Sequence, residues 1–132
     1  PELQEAFDFA STHLKLSVVL SESKKHGAFA VPCHPGRPKV GMFAHTDELG
    51  VPEGVEIVEI HNGGRRDQED QIAIDNAKAL NYRGIAGSDS HIVSHIGRCA
   101  TRFSTNIETI DDLVAALKAG EFEAVNLKVK AS

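Results

Sequence analysis

Apolar residues recur at helical spacing through residues 3–26, where Leu3, Phe7 and Leu14 are followed by Leu16, Val19 and Leu20. Gly27 is placed to stop that helix. Ala28-Phe29-Ala30-Val31 reads as a short apolar strand ended by Pro32. Residues 33–53, rich in Gly and Pro, predict a long loop, a feature of functional or mobile segments. Val55 to Ile60 is apolar on both faces, the pattern of a parallel strand covered on both sides. A helix follows over 66–81, with Ala73, Ala77 and Leu80 on one face and Ile74 beside them. Gly84 to Gly87 reads as the next strand. Residues 109–119 form a helix with Thr109 as N-cap, Asp111 and Asp112 in the first turn and Gly120 closing it. Its apolar stripe is Ile110, Leu113, Val114 and Leu117. A last strand runs through Ala124 to Leu127. Strand and helix alternate, which predicts an α/β class with parallel strands and flanking helices.

Composition narrows the partners. The chain of 132 residues is 41% hydrophobic, enough for one domain with a core. Net charge is −5, and no Lys/Arg cluster offers a face for duplex nucleic acid. Six Phe, one Tyr and no Trp make a poor stacking platform for single strands. Nucleic acid and membrane are therefore not expected partners, and no signal-peptide or membrane-span pattern occurs. A small basic pocket for a phosphate is compatible with an acidic total. Cys33 and Cys99 make no disulfide framework, so a reduced, cytoplasmic setting is the default expectation. Seven His residues raise the prospect of a metal site.

Candidate chemistry sits after the strands. Gly87-Ser88-Asp89-Ser90-His91 follows Gly84-Ile85-Ala86. In extended backbone Asp89 and His91 would project together from a strand's carboxyl end, where α/β folds place their sites. A carboxylate beside an imidazole makes part of a divalent-metal site or an acid/base pair. A polar loop with a capping Asp and a solvated His is the equal alternative. Pro32-Cys33-His34-Pro35-Gly36-Arg37-Pro38 also follows an apolar run. Its prolines stiffen the backbone around His34, and Arg37 is suited to a phosphate oxygen. A rigid turn with a surface His explains the same residues.

Glu56 to Gly64 ends in glycines that admit a ligand to the backbone. Glu59 and His61 would share one strand face, and Glu59, His61 and Asn62 would line the mouth of a site, with His61 in a supporting role or facing solvent. Arg98 is suited to an anionic substrate or to a structural carboxylate. Cys33 and Cys99 read first as small buried residues. His13 and His26 read as helix-surface residues, and His45 could fold over a site from the long loop.

The motifs occur in a set order: Cys-His-Pro-Gly-Arg-Pro, Glu-Ile-His-Asn, then Gly-Ser-Asp-Ser-His with Ile-Gly-Arg following. That order, with the closing Thr109–Gly120 segment, resembles the PHP (polymerase and histidinol phosphatase) superfamily from about residue 25 to 127. The resemblance implies the C-terminal part of a distorted (β/α)7 TIM-like barrel that holds divalent metal ions and hydrolyses phosphate esters. It maps metal ligands onto His34, Asp89 and His91, and substrate-phosphate contacts onto Arg37 and Arg98. Imidazole with carboxylate suits Zn, Mn or Fe. A metal-activated water would be the nucleophile, with no further catalytic residue assigned.

The family's N-terminal His-x-His and bridging Glu have no counterpart, because the chain contains no His-x-His pair. Residues 1–132 therefore read as the C-terminal part of a longer barrel. Pro1 fits either an excised piece or a chain that has lost its initiator Met. The expectation is a metal-dependent phosphoesterase acting on a small phosphate ester, incomplete in this chain, that self-associates or pairs with the missing N-terminal segment. The alternative is a non-catalytic barrel fragment serving as an interaction module. A proofreading-type nuclease is disfavoured by the acidic charge and scarce aromatics.

Overall fold

A computed structural model describes residues 15–64 and 66–128. Leu3, Phe7, His13 and Leu14 lie outside the described residues. Within them the first helix, α1, spans Leu16–Lys25 and ends at His26. Gly27 follows at φ +69°, a left-handed conformation that favours glycine, and so acts as the expected stop. His26 lies on the helix surface, with Nε2 3.6 Å from Glu22 Oε2.

The expected strand at Ala28–Val31 does not form. Just after it, the Glu59 N–H bonds to the Pro32 carbonyl at 3.1 Å. Pro32 has no N–H to extend a ladder, and the chain turns at once into the His34–Gly41 loop. The long loop is not structureless. It carries a 3-10 turn at Met42–Ala44 and a short helix, α2, at Thr46–Leu49.

Strand β1 spans Ile57–Asn62, helix α3 Asp67–Ala79 and strand β2 Arg83–Gly87. β1 and β2 pair in parallel. Ile57 and Val58 are both fully buried, so both faces of β1 are covered, as its apolar pattern predicts. Burying two such side chains contributes about 1.5–3 kcal/mol each. Ala73 and Ala77 are the buried face of α3, and their small size lets the helix approach closely. Val55, Val58 and Ala77 form the core cluster, with Leu20, Phe43 and Tyr82 packed on it. α3 ends before Asn81, which takes a left-handed conformation at φ +57°.

β3 (Cys99–Phe103), helix α4 (Ile110–Ala119) and β4 (Phe122–Asn126) complete the described fold. β3 and β4 are antiparallel, which corrects the expectation of parallel strands throughout. The reason is the connection. Phe103 pairs with Phe122 and the Ser104 N–H bonds to the Glu121 carbonyl, so the whole 104–121 excursion closes like a hairpin loop. The Thr101 side chain bridges the two small sheets. The Thr101 hydroxyl accepts from the Ala86 N–H at 3.0 Å and donates to the Ala86 carbonyl at 2.8 Å. The described residues thus form a mixed α/β fold with a parallel pair and an antiparallel pair, and no closed barrel. No helix among them is long and apolar enough to cross a membrane.

Candidate functional site

Three segments meet around the carboxyl ends of β1 and β2: the His34–Pro38 turn, the Glu59–Gly64 stretch and the residues after Gly87. Their meeting depends on glycine. A side chain at Gly63 would strike the Ser88 backbone, and one at Gly87 would come within 2.7 Å of Glu59 Oε1. The motif glycines therefore allow backbone and carboxylate to approach, rather than a bound ligand alone.

Glu59 is 8% exposed, and its Oε2 is the hub. It accepts the His34 backbone N–H at 2.6 Å and the Asn62 side-chain amide at 3.0 Å. Strict alternation would have paired Glu59 with His61. Instead β1 carries a register irregularity between Glu59 and His61, which puts Asn62 against Glu59. Asn62 Oδ1 then accepts the Gly64 N–H at 2.9 Å. His61 lies elsewhere, with Nδ1 3.8 Å from Asp70 Oδ2 and no hydrogen-bond partner for that buried nitrogen.

Asp89 departs from the extended backbone that the strand reading assumed. Its φ is +47°, so it and His91 do not project as i and i+2 of a strand. Its Oδ2 accepts from Arg37 Nη2 at 3.1 Å. Burial pushes the Asp89 carboxyl up, but the Arg37 hydrogen bond and charge, with Asn62 and His34, outweigh it and hold the group below the usual carboxylate range. Burial likewise works against the Arg37 charge, and its bonds to Asp89 and Glu69 more than offset it.

His34 sits at φ +33° in the turn, and its buried Nδ1 has no hydrogen-bond partner. His91 is exposed. Its Nδ1 lies 2.9 Å from the Asp89 carbonyl, an arrangement that leaves Nε2 as the outward lone pair when Nδ1 donates. The donor types fit a transition metal: an orphaned imidazole nitrogen at His34, a carboxylate at Asp89 and an oriented imidazole at His91. They are not drawn together as a ligand set, since no group of three or more His, Cys, Asp or Glu with metal-holding geometry occurs among the described residues.

Arg98 is half-buried, and its carbonyl accepts the Leu127 N–H at 2.9 Å. Cys99 is buried as expected, whereas Cys33 is exposed, with Sγ 3.5 Å from His34 Nε2. His45 does not fold over the site. Its Nε2 lies 2.6 Å from the Lys39 carbonyl within the same loop.

Two further contributors, the buried Asp70 and the part-buried Lys128, stand outside the sequence motifs. Asp70 Oδ1 accepts the Asn62 N–H at 3.0 Å, and its Oδ2 takes Lys128 Nζ at 2.9 Å. Lys128 also reaches Asp67 Oδ1 at 2.8 Å and the Asn62 carbonyl at 3.2 Å. Burial works against the Lys128 charge, but Asp67 and Asp70 raise its pKa above the ordinary lysine value. The segment after β4 thereby clamps the end of β1. Asp67, Glu69 and Asp70 stand in the first turn of α3, where carboxylates suit any helix, so the acidic run alone carried no sign of this.

A family model described as PHP-associated matches residues 68–122. The matched span includes Asp89, His91 and Arg98 and leaves out His34, Arg37 and Glu59 to Asn62. No curated protein and no solved structure matches the chain.

Proposed function

We infer from the PHP-associated match over residues 68–122 that this chain is the C-terminal part of a PHP-superfamily domain. On that premise we propose that this chain supplies one side of a metal-dependent phosphoesterase site within a TIM-like barrel. His34, Asp89 and His91 are its divalent-metal ligands, for Zn, Mn or Fe. The observation that carries this reading is the buried His34 Nδ1, which has no hydrogen-bond partner and lies in the same cluster as the Asp89 carboxylate. A buried polar atom left unpaired is costly, and a ligand would satisfy it. The divalent ion would lower the pKa of a bound water and offset phosphate charge.

The chain's own residues do the rest. Arg37 and Arg98 bind and orient the phosphate of a small ester, with planar donors suited to its oxygens. Glu59 and Asn62 hold the His34 turn in place at the mouth of the site. His61 supports the same end of β1 beside Asp70. An N-terminal segment, or a second copy, completes the barrel and the ligand set.

One observation favours the rival, an interaction module without activity: no three candidate ligands are gathered among the described residues. A chain extended by an N-terminal His-x-His segment separates the two. With Mn or Zn it should hydrolyse a small phosphate ester such as p-nitrophenyl phosphate, and Asp89→Ala or His91→Ala should abolish the activity while leaving the fold intact. An extended chain that stays inactive with every metal, or variants that keep full activity, would assign the chain to the rival class.

A further inference from the structure

Glu69 belongs to none of the motifs above, yet it connects to the site through one side chain. From the first turn of α3 its Oε2 accepts Arg37 Nε at 3.2 Å, and its Oε1 accepts Arg66 Nη1 at 3.1 Å. Arg37 Nη2 in turn donates to Asp89 Oδ2 at 3.1 Å. The three side chains are largely buried, at 15%, 20% and 25% exposure for Glu69, Arg37 and Asp89. They come from three different segments: a helix, the His34–Pro38 turn and the stretch after β2.

The spacing of this relay is built in. A side chain at Gly36 would collide with the Glu69 carbonyl, so the turn sits directly on α3. The Arg37 N–H bonds to the His34 carbonyl at 3.0 Å, and the Gly41 N–H bonds to the Arg37 carbonyl at 2.8 Å. Arg37 therefore starts from a fixed backbone. A guanidinium is a rigid plane, so fixing Nε also fixes the direction of Nη2. Asp89 has the opposite problem. It stands in a left-handed conformation at φ +47°, outside any strand, so its carboxylate takes its direction from the Arg37 and Asn62 side chains.

We propose that Glu69 is a positioning residue for the metal ligand Asp89. It sets the plane of Arg37, and Arg37 aims the Asp89 carboxylate while occupying only Oδ2. This rests on the metal-site reading above. Partners of this kind around ligating carboxylates typically change metal affinity by about 10–100-fold when removed.

The test is calorimetric titration of the chain with Zn(II) and with Mn(II), alongside amide chemical shifts of Asp89 and Ser90 recorded without metal. Glu69→Ala should weaken metal binding by about 10–100-fold and move both amide signals. Glu69→Gln keeps an acceptor for Arg37 Nε and should restore most of the affinity. Glu69→Ala combined with Arg37→Met should be no weaker than Arg37→Met alone, because Glu69 acts through Arg37. A merely structural role would lower stability without this non-additivity or the Gln rescue. Wild-type affinity in Glu69→Ala, or additive losses in the double variant, would overturn the positioning role and leave the metal site standing. A wild-type chain that binds neither ion would instead overturn the metal reading and this proposal with it.

Discussion

The His34 backbone N–H donates to Glu59 Oε2 across 2.6 Å, joining two residues 25 positions apart. A buried carboxylate thus fixes the turn that presents the His34 imidazole. The same oxygen takes the Asn62 amide, so one atom aligns two of the site's segments.

Glu59→Leu removes that acceptor and leaves both donors bare. Each buried donor left unpaired costs about 1–3 kcal/mol. Urea unfolding should report a loss of at least this size, and the His34 ring signals should shift. A change under about 0.5 kcal/mol, the range of ordinary surface substitutions, would mean that the turn holds itself.

Thr101→Val keeps the shape of the side chain and deletes the hydroxyl that serves both polar groups of Ala86. Stability should fall by about 1–3 kcal/mol, while Thr101→Ser stays near wild type. Hydrogen exchange at the Ala86 amide should accelerate in the Val variant. Unchanged exchange would show that the two sheets are joined by packing alone.

The Asp89 carboxyl is held below its ordinary value when folded. Below the unfolded pKa the unfolded chain then binds more protons than the folded one, so stability rises with pH across that window. The contribution is present above the ordinary carboxylate value, about 3.9, and is lost as pH falls through the depressed folded value. Arg37→Met removes the largest group holding the carboxyl down. Its unfolding free energy should depend less on pH between the ordinary value and strongly acid conditions. An identical acid profile in the variant would show that Arg37 is not the cause.

How far these features could be read ahead differs by segment. The ends of helix α4 were legible, because their signals are local: Thr109 and Asp112 form a capping box, and Gly120 adopts φ +74°; its stripe was read less well, since Ile110 is exposed and Ala116 is buried. β1, α3 and β2 were legible within two residues, since their apolar positions carry the core. The Ala28–Val31 run misled, because four apolar residues signal burial and not pairing, and Pro32 ended any ladder. β3 was missed. Cys99, Thr101 and Phe103 alternate with Ala100 and Arg102, but the polar Thr101 and Arg102 hid the period until β4 supplied a partner. In the site, the motifs pointed to His34, Glu59 and Asn62, but nothing in them marked Glu59 as the group that joins the other two. Their geometry was not legible either, because the register irregularity in β1 and the positive φ of His34 and Asp89 are products of tertiary contact.

The central claim is that His34, Asp89 and His91 hold one divalent ion. Anomalous diffraction from crystals grown in excess Mn(II) or Zn(II) tests it most directly. The account predicts one strong anomalous peak within about 2.0–2.2 Å of a His34 nitrogen, an Asp89 oxygen and a His91 nitrogen, the exposed His91 ring turning to meet it. Well-ordered crystals with no peak at these residues, or with the metal bound only elsewhere, would contradict it.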